Sequence, residues 1–264
     1  MEIRGEVGLL SRNVVFRGDE GSAETQYGAT ILLASDTLYP SIGRIENIEM
    51  YDVGQVGQIA RYPIHFHLMG DVHLSYVQQN SIHQSYNRGT TIHGVRYLRV
   101  LKNVYYNIIG HTVFIQDGIE AKNRIEDNLV VKTLPSWSLL NTDMTPSAFW
   151  ITNPDNIIRG NHAAGAKFYG FWYDLPEHPT GSSKTTSICP INERMGEFSN
   201  NVAHSTGHYG LRVFHGHEPR VYPCEPISVD NPVLPAYYEN FLGYKNGRNA
   251  VIGGEMGAVV WRNI

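Results

Sequence analysis

A chain of 264 residues with only 17% charged side chains and a net charge of −4 can bury a full core without metal or disulfide staples. It carries no Lys/Arg cluster, which argues against nucleic acid as a partner. No run approaches the ~18 apolar residues of a membrane span, and Glu2, Arg4 and Glu6 interrupt any signal-peptide core in MEIRGEVGLL.

Taken in chain order, one pattern recurs. An Asn followed by small or apolar residues leads to a Gly and then to a short strand-like run. Four copies are clear: NSIHQSYNRGTTIHG (80–94), NVYYNIIGHTVFIQDG (103–118), NHAAGAKFYGFWYD (161–174) and NVAHSTGHYGLRVF (201–214). Looser copies start at Asn13, Asn47, Asn128, Asn240 and Asn263, and the steps run from 23 to 40 residues. A constant floor with longer excursions describes a coil of fixed circumference with loops inserted.

The strand-like runs are PIHFHL (63–68), TTIH (90–93), TVFIQ (112–116), AFWIT (148–152), FWYDL (171–175), LRVF (211–214) and AVIG (250–253). A second series follows the repeat Asn directly, as in NVVF, NIEM, NVYY and NLVV. Such strands cannot bury an apolar face alone, but stacked in parallel each coil covers the next. The expected fold is all-β, a right-handed parallel β-helix with long loop insertions, forming a single domain over 1–264. An antiparallel sandwich would need many tight hairpin turns, and only Asn246-Gly247 and Asp117-Gly118 have that chemistry. The repeat Asn suits a left-handed corner, and its amide can bond its neighbours one coil up and down.

Segments 19–43, 133–147, 176–195 and 215–236 depart from the repeat. The last two hold Cys189 and Cys224, which spacing alone leaves open as a disulfide or as two free thiols. Asn141-Thr142-Asp143 has no Asp-Asp pair beside it and reads as loop.

The densest chemistry is RYPIHFHLMGD (61–71). In a strand, His65 and His67 share one face while Ile64, Phe66 and Leu68 share the other. With the apolar trio inside the coil, both imidazoles face outward. The next strand sets Ile92 beside Phe66 and therefore His93 beside His67, at about 4.8 Å between strands. One coil on, Gln116 continues the column, with Asp117 just past the strand end and Asp71 at a comparable exit.

His65, His67, Asp71, His93 and Asp117 are the candidate catalytic residues for general acid and base work on an extended polymer such as a glycan. Arg61, His111, Gln116 and Trp150 extend the face as candidate ligand contacts. Two adjacent His with a carboxylate equally suit a metal, whose identity the sequence leaves open. The bland reading is structural stacking of imidazoles, with Trp150, Trp172 and Phe171 as interior packing and His204 and His208 as corner residues.

EVGLLSRN (6–13), YPIHFHLMGD (62–71), SIHQSYNRGTTIHG (81–94) and GHTVFIQDG (110–118) resemble the β-helix that follows the G8 domain in one family. That family contains fibrocystin, fibrocystin-L and the cell-migration-inducing hyaluronan-binding protein with its transmembrane relative. TPSAFWITNPDNIIRGNHAAGAKFYGFWY (145–173) is more similar to the fibrocystin-L branch.

The resemblance implies an extracellular or cell-surface ectodomain, a disulfide between Cys189 and Cys224, and a segment of a larger protein without its G8 domain. It implies a polysaccharide or cell-surface protein as partner, or contact with the rest of the parent protein or with further copies. For the hyaluronan branch it implies calcium-dependent endo-acting depolymerisation. The family usually has Glu-Asp-Gly where this chain has Gln116-Asp117-Gly118, so a Glu acid is missing and a structural, adhesive or glycan-binding role comes first.

Overall fold

The structure, a computed structural model, describes residues 3–35, 41–137 and 141–264. Its strands form three parallel sheets of eight strands each, and every coil adds one strand to each sheet in chain order. The first sheet runs from Val14–Arg17 to Leu242–Tyr244, the second from Ile31–Ala34 to Val251–Met256, and the third from Arg44–Glu46 to Val259–Arg262. This is the right-handed parallel β-helix that the repeat predicts.

Alternation along the second sheet sorts the side chains. Ile64, Phe66, Ile92, Val113, Ile115, Phe149, Ile151 and Phe171 point inward and belong to one continuous core. Each such side chain contributes roughly 1.5–3 kcal/mol by leaving water. The third sheet has no counterpart in the two strand series read from the sequence. Six of its eight strands are three residues long, and two of these, Arg44–Glu46 and Arg124–Glu126, have one inward side chain flanked by charges. Three residues are too few for alternation to show.

The repeat Asn builds a ladder. Asn80, Asn103, Asn128, Asn161 and Asn201 stack in successive coils, each side-chain amide donating to the next Oδ1 at 3.0–3.2 Å. Each amide also donates to a backbone carbonyl, as Asn103 does to Val77 at 2.9 Å. The left-handed corner, however, is one residue earlier, at Gln79, Lys102, Asp127, Gly160 and Asn200. Asn47, Asn240 and Asn263 have positive φ themselves. They are corner residues, one position out of phase with the ladder.

Loops cover parts of the coil. Residues 3–12 cross the first sheet from outside: the Ser81 hydroxyl donates to the Leu10 carbonyl, and Glu6 meets His162 at 3.1 Å and His204 at 2.9 Å. Cys189 and Cys224 form a disulfide that ties the two Pro-rich insertions together. Trp150 and Trp172 are buried, but outside the coil: they form a separate cluster with Phe114 and Tyr169 on the outer face of the second sheet. Only Phe171 of the three aromatics read as interior packing lies in the main core.

Candidate functional site

The strands Ile64–Asp71 and Thr90–Arg96 pair with His67 opposite His93 and Phe66 opposite Ile92. His67 Nδ1 and His93 Nδ1 are 3.0 Å apart. His93 Nε2 reaches Asp117 Oδ2 at 2.9 Å. His65 stacks on His93 with ring centroids 5.8 Å apart and contacts the Ala60 carbonyl through Nδ1 at 3.2 Å. His65 and His93 are buried, whereas His67 is half-buried.

Asp117 is held from several sides. Its Oδ2 also accepts the Ser183 amide at 3.1 Å, and its carbonyl accepts the Thr180 amide at 2.9 Å. Gly181 has φ +58°, and a Cβ there would lie 2.6 Å from Asp117 Oδ1, so the turn Gly181–Ser183 can close over the carboxylate only with glycine at that point. Beneath it, the fully buried Glu120 accepts backbone amides from Gly94, Asp117 and Gly118 at 2.7–3.1 Å. Burial raises the Glu120 carboxyl, against the pull of those amides. The sequence reading missed Glu120; its cue, a lone Glu just past Asp117-Gly118, is weak.

Electrostatics follow from this packing. Burial pushes His65 down to about 3, against the Ala60 carbonyl, so the ring is neutral near pH 7. Burial and neighbouring His93 also lower His67. For Asp117, burial acts upward, but the bond to His93 and the Ser183 amide outweigh it and leave the carboxyl below its ordinary range.

The other candidates disperse. Asp71 does not converge with the imidazoles. Leu68 and Gly70 have positive φ, the pairing slips between His67 and Gly70, and the strand end turns away. Asp71 is exposed and closes on His73 at 2.8 Å. Arg61 is exposed on the approach to the strand. His111 is buried beside Ser147 and 4.4 Å from the Trp150 ring, in a cluster distinct from His65, His67 and His93. Trp150 is 4% exposed and serves as packing there. Gln116 follows Ile115, whose partner is Ile92, and so continues the column next to His93; its Oε1 is buried.

Two further groups on this face escaped the sequence reading. Asp174 follows Tyr173 on the strand Tyr169–Tyr173, and its carboxyl is raised by burial. Arg212 lies with its guanidinium 4.1 Å from the Trp172 ring and 4.5 Å from Phe214, and bonds the Tyr169 hydroxyl at 2.7 Å. A single Asp after FWY or a single Arg within LRVF carries no spacing signal; only the register shows what it faces.

Calcium prefers six to eight oxygen ligands. The cluster of His65, His67 and His93 offers imidazole nitrogens and does not fit that ion.

The family model described as CEMIP beta-helix matches residues 26–211, most of the coil and the whole histidine face. The chain belongs to the CEMIP β-helix family. Among its relatives, mouse fibrocystin-L is 42% identical over 97% of this chain and human cell surface hyaluronidase CEMIP2 is 30% identical over 97%. Communication mutant protein F of Dictyostelium discoideum is 34% identical over 79%. The chain spans 7% of fibrocystin-L, 23% of CEMIP2 and 20% of the Dictyostelium protein. The β-helix therefore corresponds to a small part of each of these relatives.

Proposed function

We propose that this β-helix serves at the cell surface as a rigid glycan-binding segment with a structural or adhesive role. The observation that carries it is the Arg212 platform. A half-buried guanidinium is held against Trp172, Tyr169 and Phe214, with Tyr209, Arg248 and His208 around it. Trp172 and Tyr169 are buried and fix the guanidinium, while Phe214 is exposed. An open aromatic face takes a sugar ring and a fixed guanidinium takes a carboxylate, which suits an acidic polysaccharide lying across the strands.

Titration with hyaluronan oligosaccharides, followed by calorimetry, tests this. Saturable binding that Arg212→Ala weakens tenfold or more supports the reading. Absence of binding to hyaluronan and other acidic glycans removes it.

The second reading, endo-acting depolymerisation, is favoured by one feature: His93 oriented by the Asp117 carboxylate, as a general base would be. Asp174 is the carboxyl with the raised proton affinity on the same face, but it lies three strands from His93, roughly 14 Å away. An inverting carboxyl pair spans about 6.5–9.5 Å. Sizing high-molecular-weight hyaluronan after incubation, with and without calcium, separates the readings. Shortened chains that His67→Ala or Asp117→Asn abolishes would establish depolymerisation.

A further inference from the structure

We propose that His65, His67 and His93 form a binding site for a divalent transition metal of the zinc type, with Asp117 orienting His93. One nitrogen from each imidazole lies within 4.8 Å of the other two. Ligand nitrogens around tetrahedral zinc at 2.0–2.1 Å stand about 3.4 Å apart. The pair His67–His93 is already at 3.0 Å. Small rotations of His65 and His67 bring the third nitrogen in.

The tautomers favour this arrangement. A carbonyl only accepts, so the contact with Ala60 places the His65 proton on Nδ1 and leaves Nε2 as a lone pair. That Nε2 is buried and has no hydrogen-bond partner among the described residues. Asp117 likewise takes the His93 proton on Nε2, so His93 Nδ1 also presents a lone pair. His67 Nδ1 then donates to His93 Nδ1; on metal binding His67 would take its other neutral tautomer, with the proton on Nε2, so that its Nδ1 also presents a lone pair. The carbonyl behind His65 and the carboxylate behind His93 are the arrangement that fixes ring orientation and strengthens the donor.

Donor chemistry selects the ion. Imidazole suits zinc, copper, iron and nickel, while calcium and magnesium want oxygen. Three protein ligands leave a fourth position for water or a ligand oxygen, and the half-buried His67 is the side from which it would be reached. The site does not depend on the Arg212 platform, so glycan binding and metal binding can fail separately.

The test is calorimetric titration of the chelator-stripped chain with zinc and, separately, with calcium, together with cobalt absorption spectra. One zinc per chain is expected, with tetrahedral cobalt bands and no calcium uptake at these residues. His67→Ala should abolish stoichiometric binding while leaving the circular dichroism unchanged, because its side chain is half-buried. Asp117→Asn should weaken zinc about 10- to 100-fold. If His67→Ala fails to fold, His67→Gln keeps the shape and replaces the nitrogen donor with an amide. Sub-stoichiometric zinc, zinc binding that His67→Ala or His67→Gln leaves unchanged, or calcium bound in its place would each overturn the proposal.

Discussion

Arg88 and Asp143 form an ion pair at 2.9 Å in which each side chain is 1% exposed. The guanidinium also lies 3.6 Å from the Phe114 ring and 4.7 Å from Tyr62. Asp143 belongs to the short turn Asn141–Met144, so the pair fastens an inserted loop to the outer face of the coil. It also sets the His111 amide, which donates to Asp143 Oδ1 at 3.1 Å.

Removing one partner should cost more than removing both. Arg88→Met leaves a buried carboxylate with amide donors but without its cation, a loss of about 3–5 kcal/mol. The double variant Arg88→Met/Asp143→Leu should recover most of that. Guanidinium unfolding midpoints at unchanged slope measure both, and a single variant within about 1 kcal/mol of the parent would mean that the pair is idle.

The Asn ladder gives a second expectation. Asn128 Oδ1 accepts both the backbone amide and the side-chain amide of Asn103 at 3.0 Å, and its own amide serves Val100 and Asn161. Asn128→Ala strands several buried groups at about 1–3 kcal/mol each, partly relieved by relaxation, so a loss of roughly 3 kcal/mol is expected. Asn263→Ala removes an exposed bond to Asn240 and should stay within about 0.5 kcal/mol. Equal losses in the two variants would show that the ladder is not cooperative.

The coil was legible because Asn, Gly and the strand runs recur in a fixed order, and that order fixes the register. The register alone places His67 on His93. What it could not show depends on loops folding back over the coil. Glu120 and the turn Gly181–Ser183 come from outside the strands, and Asp143 from a segment that reads only as loop. Asp71 went astray because two left-handed residues, Leu68 and Gly70, bulge the strand just after His67. Leu68 gives no sequence warning of that conformation. The bland reading places Trp150 and Trp172 in the interior because aromatics favour cores, yet alternation puts their neighbours Phe149 and Phe171 inside instead.

Two buried histidines away from the candidate site should make the fold acid-sensitive. Burial pushes His111 down to about 3, with Asp143 pulling upward and Arg88 downward. It pushes His217 down to about 4, against the Glu193 carbonyl; the ring's other nitrogen faces the Tyr238 hydroxyl. Both rings are neutral in the fold, while the unfolded chain takes up a proton on each below about 6.5. The unfolded state therefore binds more protons, and stability present above pH 6.5 is lost as pH falls toward the folded values. Each ring contributes about 1.4 kcal/mol per pH unit in that window, or roughly 5 kcal/mol for the two between pH 6.5 and 4.5. Denaturant unfolding at half-unit steps of pH should show at least this slope, and because His65, also pushed down to about 3 by burial, adds a third share, His217→Gln should flatten it by about a third. A profile level from pH 7 to 5, or one that His217→Gln leaves as steep, would mean that these rings take up protons within the folded chain.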